Sequence, residues 1–126
     1  MPLSHVAQQG DSDITPILGW LETSLEAPKK QEVAECGLAT QIYIQQWDVL
    51  RLRDGVLYRR WESADELRVI HQLVLPHSHR RVVIQTAHGQ GNFGIERTYE
   101  LIQRSACWAR WQHDVKLELA RCDACA

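Results

Sequence analysis

A chain of 126 residues holds one ordinary domain or two very small ones, and 44% hydrophobic with 24% charged residues excludes an intrinsically disordered chain. A net charge of -2 argues against a strongly basic nucleic-acid binder, but the charge is uneven: residues 1–70 hold seven Lys/Arg against eleven Asp/Glu, and residues 71–126 hold seven against five, with most of the histidines. No apolar run spans a membrane and Met1-Pro2-Leu3-Ser4-His5 has no signal-peptide character, so the expected setting is intracellular and reducing, where cysteines are free or metal-bound more often than bridged.

Residues 1–11 are polar and aperiodic and read as a disordered, frayed terminus. Thr15 and Pro16 open a helix, Thr15 as its cap and Pro16 at the first position, where a missing N–H costs nothing. Ile14, Ile17, Leu18, Leu21 and Leu25 form its apolar stripe, and Pro28 stops it. A second, less regular helix is predicted from about 31 to 47, with Gly37 inside it.

Residues 49–53 and 56–61 are β-prone and flank Asp54-Gly55, a pair suited to a two-residue hairpin turn that needs positive φ. Residues 67–75 give a third strand, ended by Pro76. Helical character follows at 80–88, 95–104 and 111–121, with a turn of three glycines after His88. Three short helices with a glycine turn resemble a helix-turn-helix arrangement in outline. The expected fold class is therefore α+β, mainly α: N-terminal helices and a small three-stranded antiparallel meander over 12–76, then a three-helix unit over 77–126.

The sharpest local signal is Cys122-Asp123-Ala124-Cys125. A C-x-x-C pair at a helix end can bite one zinc ion tetrahedrally; two incidental cysteines near a terminus are the bland alternative, and a redox pair would need a βαβ setting not seen here. His88, at a helix end before the glycine turn, is a reasonable third ligand. Asn92 stands where a second histidine would complete the set, and a neutral amide oxygen is a poor zinc donor. His113 lies roughly 13 Å from Cys122 along a continuous helix, and His77 and His79 are about as far from His88, so none fills the gap. His71 falls in a strand. Cys36 and Cys107 read as small buried hydrophobes.

The run His88 to Thr98, then Cys107-Trp108, Asp114-Val115 and Cys122-Asp123-Ala124-Cys125, resembles the integrase zinc-binding (H2C2) domain, and more narrowly the Pol polyprotein of gypsy-type (Ty3/metavirus) LTR retrotransposons. Upstream, Asp13-Ile14 through Glu22, Trp47-Asp48, Leu52 through Trp61 and Leu75-Pro76 resemble the N-terminal extension of those integrases. The sequence departs from the pattern at Asn92, in a His88-to-Asn92 gap one residue short, and at Ala109-Arg110-Trp111, where the family commonly has Pro-Gly-Met. Nothing corresponds to the Asp/Asp/Glu triad of the catalytic core.

The resemblance implies a non-catalytic module that assists DNA binding at the element's ends and subunit assembly during integration, nuclear where that role persists. The metal set is His88, Cys122 and Cys125, with zinc weak or lost because of Asn92. Arg97, Arg104, Arg110, Lys116 and Arg121 are the candidates for phosphate contact, or else ordinary solvated helix faces. Self-association is an expectation; a membrane or a small-molecule substrate is not. A relic or domesticated protein-interaction module is the alternative. No nucleophile–base pair or phosphate loop supports an enzyme.

Overall fold

The computed structural model describes residues 2–24, 26–65, 67–89 and 94–121. Among these, helices α1 (Pro2–Gln9), α2 (Thr15–Thr23), α3 (Lys30–Val33) and α4 (Leu38–Gln45) precede strands β1 (Leu50–Arg53), β2 (Val56–Glu62) and β3 (Val69–Val74). Then come α5 (His77–Gly89), α6 (Ile95–Gln103), the short β4 (Ala106–Cys107) and α7 (Trp111–Ala120).

The first difference from expectation is at the N-terminus, which is helical where a frayed segment was expected. Gln8 on α1 is fully buried and its side-chain amide is inserted at the sheet end. Its Nε2 donates to the Leu57 and Val74 carbonyls at 3.0 and 2.8 Å, and its Oε1 accepts from the Leu57 N–H at 2.8 Å. β2 and β3 pair only from Tyr58↔Leu73 to Glu62↔Val69, so the amide substitutes for the next ladder step.

α2 forms where the apolar stripe placed it, and Ile14, Ile17 and Leu18 are buried. Thr15 is not its cap. Ile14 is already helical in φ/ψ, and Asp11 O accepts from the Ile14 and Thr15 N–H groups, so Thr15 sits inside the helix. The expected second helix is broken into α3 and α4, with Gly37 as the extended residue before α4 and a 3-10 turn over Trp47–Val49.

Asp54 and Gly55 both have positive φ, 50° and 78°, which is the geometry of a tight two-residue hairpin turn. β1, β2 and β3 are antiparallel neighbours. The sheet, however, is four-stranded and mixed, ordered β1-β2-β3-β4, rather than a three-stranded meander. β4 pairs parallel to β3 in the register Leu73↔Ala106 and Val74↔Cys107, after a crossover through α5 and α6. Two residues are too few to show alternation, which is why the pattern missed them.

Most of the buried apolar residues form one cluster. It joins Ile17 of α2, Tyr43 of α4 and Leu57 of β2 to Ile84 of α5, Ile102 of α6 and Val115 of α7. A polar seam ties the same elements. The Asp11 carboxylate accepts the His77 N–H at the start of α5 at 2.7 Å and lies 3.8 Å from Arg80. Arg80 donates to the Leu75 carbonyl at 3.1 Å and to the Tyr43 hydroxyl at 3.4 Å, and that hydroxyl also accepts from the Ala109 N–H at 3.0 Å. The described elements before and after Pro76 thus share a sheet and a core.

Candidate metal centre and nucleic-acid interface

α5, α6 and α7 pack on one another. The segment between β4 and α7 fixes where α7 points. Trp108 is 3% exposed, its Nε1–H donates to Asp114 Oδ2 at 2.7 Å, and it stands edge-on to Trp111. Arg80 lies over the Trp108 ring at 5.8 Å. Tyr99 of α6 meets Trp111 edge-on at 5.4 Å. Trp108, Asp114 and the fully buried Val115 therefore act together as the anchor of α7.

That anchoring brings the C-terminal ends of α5 and α7 to one cleft. His88, in the last turn of α5, is 8% exposed and lines it with Arg81, Ile84, Glu118, Leu119 and Arg121. Cys122 follows Arg121 directly in the chain. Cys122, Cys125 and Asn92 lie outside the described residues. Among the described residues there is no group of three or more His, Cys, Asp or Glu side chains able to hold a metal.

The donor chemistry fits zinc in part. A buried imidazole stands in a cleft with the residue preceding the C-x-x-C pair, and imidazole plus two thiolates is a borderline-soft set suited to zinc. The sequence reading passed over Glu118, whose carboxylate is in the same cleft and only 15% exposed. It lies 3.3 Å from Arg81 and 3.7 Å from Arg121, so two cations neutralise it in this arrangement. Its only sequence signal was the i,i+3 spacing to Arg121.

Of the other histidines, His77 lines an adjoining cleft that shares Arg81, Ile84, Glu118 and Arg121 with that of His88. His77, His79 and His113 are exposed, and His71 is half-buried on β3. Cys107 is buried, and burial pushes its thiol pKa up to about 11. Cys36, expected inside, is only half-buried, because it falls at the break between α3 and α4.

The basic candidates are dispersed. Arg97 on α6 is paired with Glu100 at 2.8 Å, and Arg121 with Glu118. Arg104 lines a separate cleft with Trp61, Arg68 and Glu100. Lys116 is exposed on α7. Arg110 is exposed and left-handed, with φ 62° and ψ 33°, immediately before α7. Such a backbone is one that glycine favours and that costs a residue with a Cβ.

The site thus combines a buried histidine at a helix end, a tryptophan anchor and, in the sequence that follows, a C-x-x-C pair. Residues 75–126 match the family model of the integrase zinc binding domain, a zinc-binding type of domain. No curated protein matches the chain. No helix among the described residues is long and apolar enough to cross a membrane.

Proposed function

We propose that this chain is a non-catalytic binding and assembly module of gypsy-type retrotransposon integrase origin, acting on DNA, with a degenerate metal site. The observation that carries the reading is the cleft in which buried His88 meets the last described residue before Cys122. Within the match to the integrase zinc binding domain, His88, Cys122 and Cys125 would hold the ion, and Asn92 is a weak fourth position. Zinc, when bound, supplies a cross-link between the helix ends of a small unit.

In most small domains of this kind the metal substitutes for missing core. Here α7 is already held by Trp108, Asp114 and Val115, and its core is continuous with the sheet. The fold therefore tolerates a weak metal grip. Arg104, Arg110 and Lys116, with Arg97 and Arg121, would meet phosphate, and the site of action would be nuclear.

The test is a zinc titration of the chain beside Asn92→His, read by competition with a chromogenic chelator. The histidine variant is expected to bind about tenfold more tightly or better. Equal affinities would show that Asn92 is not the defect and would sink the ligand assignment.

A further inference from the structure

We propose that an arginine patch on the sheet face opposite Leu50, Leu57 and Gln72 is a separate phosphate-binding surface for nucleic acid, formed by Arg51 and Arg53 of β1 and Arg60 of β2 around His71 of β3. It rests on the nucleic-acid part of the reading above, but on none of its helix residues and on no metal.

The register separates the two faces. Leu50, Leu57, Gln72 and Val74 are buried, and Arg59 donates to its register partner Gln72 at 2.8 Å, so these residues face the core. Side chains alternate along a strand. Arg51 with its partner Tyr58, Arg53 with its buried partner Val56, Arg60 with its partner His71, and Leu73, which packs against the core, therefore share the opposite face, and its open part is the arginine–His71 patch. On a strand, Arg51 and Arg53 are about 7 Å apart, and Arg60 and His71 are direct cross-strand neighbours about 5 Å apart.

This face is cationic in a chain whose first 70 residues are net acidic. Arg51 and Arg53 are exposed, and the Arg60 side chain is 35% exposed. Glu62 on the same face pairs with Arg60; Asp54 lies in the hairpin turn, and Asp48 accepts from Arg51 only through its backbone carbonyl, at 2.8 Å. His71 registers the field. Its pKa is held below the ordinary value by partial burial first, and then by Arg53, Arg60 and Arg51. Three guanidinium groups thus lie around one imidazole, with Glu62 as the carboxylate that pairs among them and with Arg51 also bonded to the Asp48 and Leu50 carbonyls.

The occupant that fits is a polyanion with charges repeating along its length. Guanidinium groups bind phosphate oxygens through a planar fork of donors. The half-buried Tyr58, the register partner of Arg51, offers apolar contact to sugar or base. A duplex laid across β1–β3 would meet all three arginines at once.

The experiment uses the full chain and a fluorescein-labelled mixed-sequence DNA duplex, with binding read by anisotropy over a range of KCl. Arg51→Gln/Arg53→Gln/Arg60→Gln is expected to weaken binding about tenfold or more at low salt and to flatten the log K against log salt slope by roughly 2–3. Lys29→Gln/Lys30→Gln, at the start of α3 and outside the three strands, is expected to leave both unchanged. Because the triple variant removes side chains that could also support the fold, His71→Arg provides an opposite sign. It adds a cation and is expected to steepen the slope, which damage would not do.

A parent slope retained by the triple variant together with no steepening in His71→Arg would overturn the proposal. So would tighter binding, at equal salt, of poly-glutamate or of phosphatidylserine vesicles, which would assign the face to an acidic protein or a membrane. A slope that falls only in Arg97→Gln/Arg104→Gln would overturn it while leaving the function proposed above in place. Absence of duplex binding by the parent would overturn the sheet surface and leave the zinc titration to decide the metal reading.

Discussion

Replacing Gln8 by alanine tests whether the N-terminal helix belongs to the fold. Its amide makes three hydrogen bonds to the Leu57 N–H, the Leu57 carbonyl and the Val74 carbonyl, all in a fully buried setting. Gln8→Ala leaves one donor and two acceptors without those partners. An orphaned buried polar group costs about 1–3 kcal/mol, and water entering the space vacated by the amide recovers part of it, so the expected loss is about 2–4 kcal/mol. For a chain of 126 residues the unfolding entropy is roughly 0.26 kcal/mol/K, which makes this a drop in Tm of roughly 8–15 °C. Urea unfolding followed by tryptophan fluorescence, with an unchanged m-value, is the measurement. A Gln8→Ala midpoint indistinguishable from the parent would show that α1 is not docked and that the sheet end is satisfied by water.

The remaining predictions concern strain, ionisation and thiol access. Arg110→Gly relieves a left-handed non-glycine residue worth about 1–2 kcal/mol, offset by glycine's greater unfolded freedom, so urea unfolding should show a net gain of about 0.5–1 kcal/mol. Arg110→Val should lose at least about 1 kcal/mol in the same assay, and the opposite order of the two variants would refute the strain argument. Burial pushes Tyr43 up to about 12, above its ordinary value of 10.0, so the stability tied to its neutral form is complete below pH 10 and lost as pH rises toward 12. Absorbance at 295 nm should show one of the three tyrosines ionising late, a phase absent in Tyr43→Phe. Maleimide labelling at neutral pH, mapped by peptide mass, should modify the half-buried Cys36 and spare Cys107 until denaturant is added; equal labelling of the two would contradict the burial of β4.

Much of the local structure is written in short-range pattern. The stripe from Ile14 to Leu21 made α2, Asp54-Gly55 made the hairpin, and the apolar spacing around Ile84, Ile102 and Val115 located the three C-terminal helices. The His88 and C-x-x-C signals and the match over residues 75–126 belong to the same level, because a metal ligand set is a matter of residue type and spacing.

What depended on tertiary structure were the partnerships between distant segments. Gln8 is an ordinary polar residue until the end of the β2–β3 pairing supplies three backbone groups for its amide. Asp11 lies 66 residues from the helix start it satisfies, and Tyr43 lies as far from the Ala109 N–H it accepts. The two residues of β4 have no strand pattern of their own and become a strand only because the α5–α6 crossover lays them beside β3. The same holds for the two candidate surfaces. Glu118 enters the His88 cleft only through the packing of α7, and Arg51, Arg53, Arg60 and His71 share a face only through the register of three strands. Periodicity decides which side of an element is apolar; only the pairing of elements decides which charges meet.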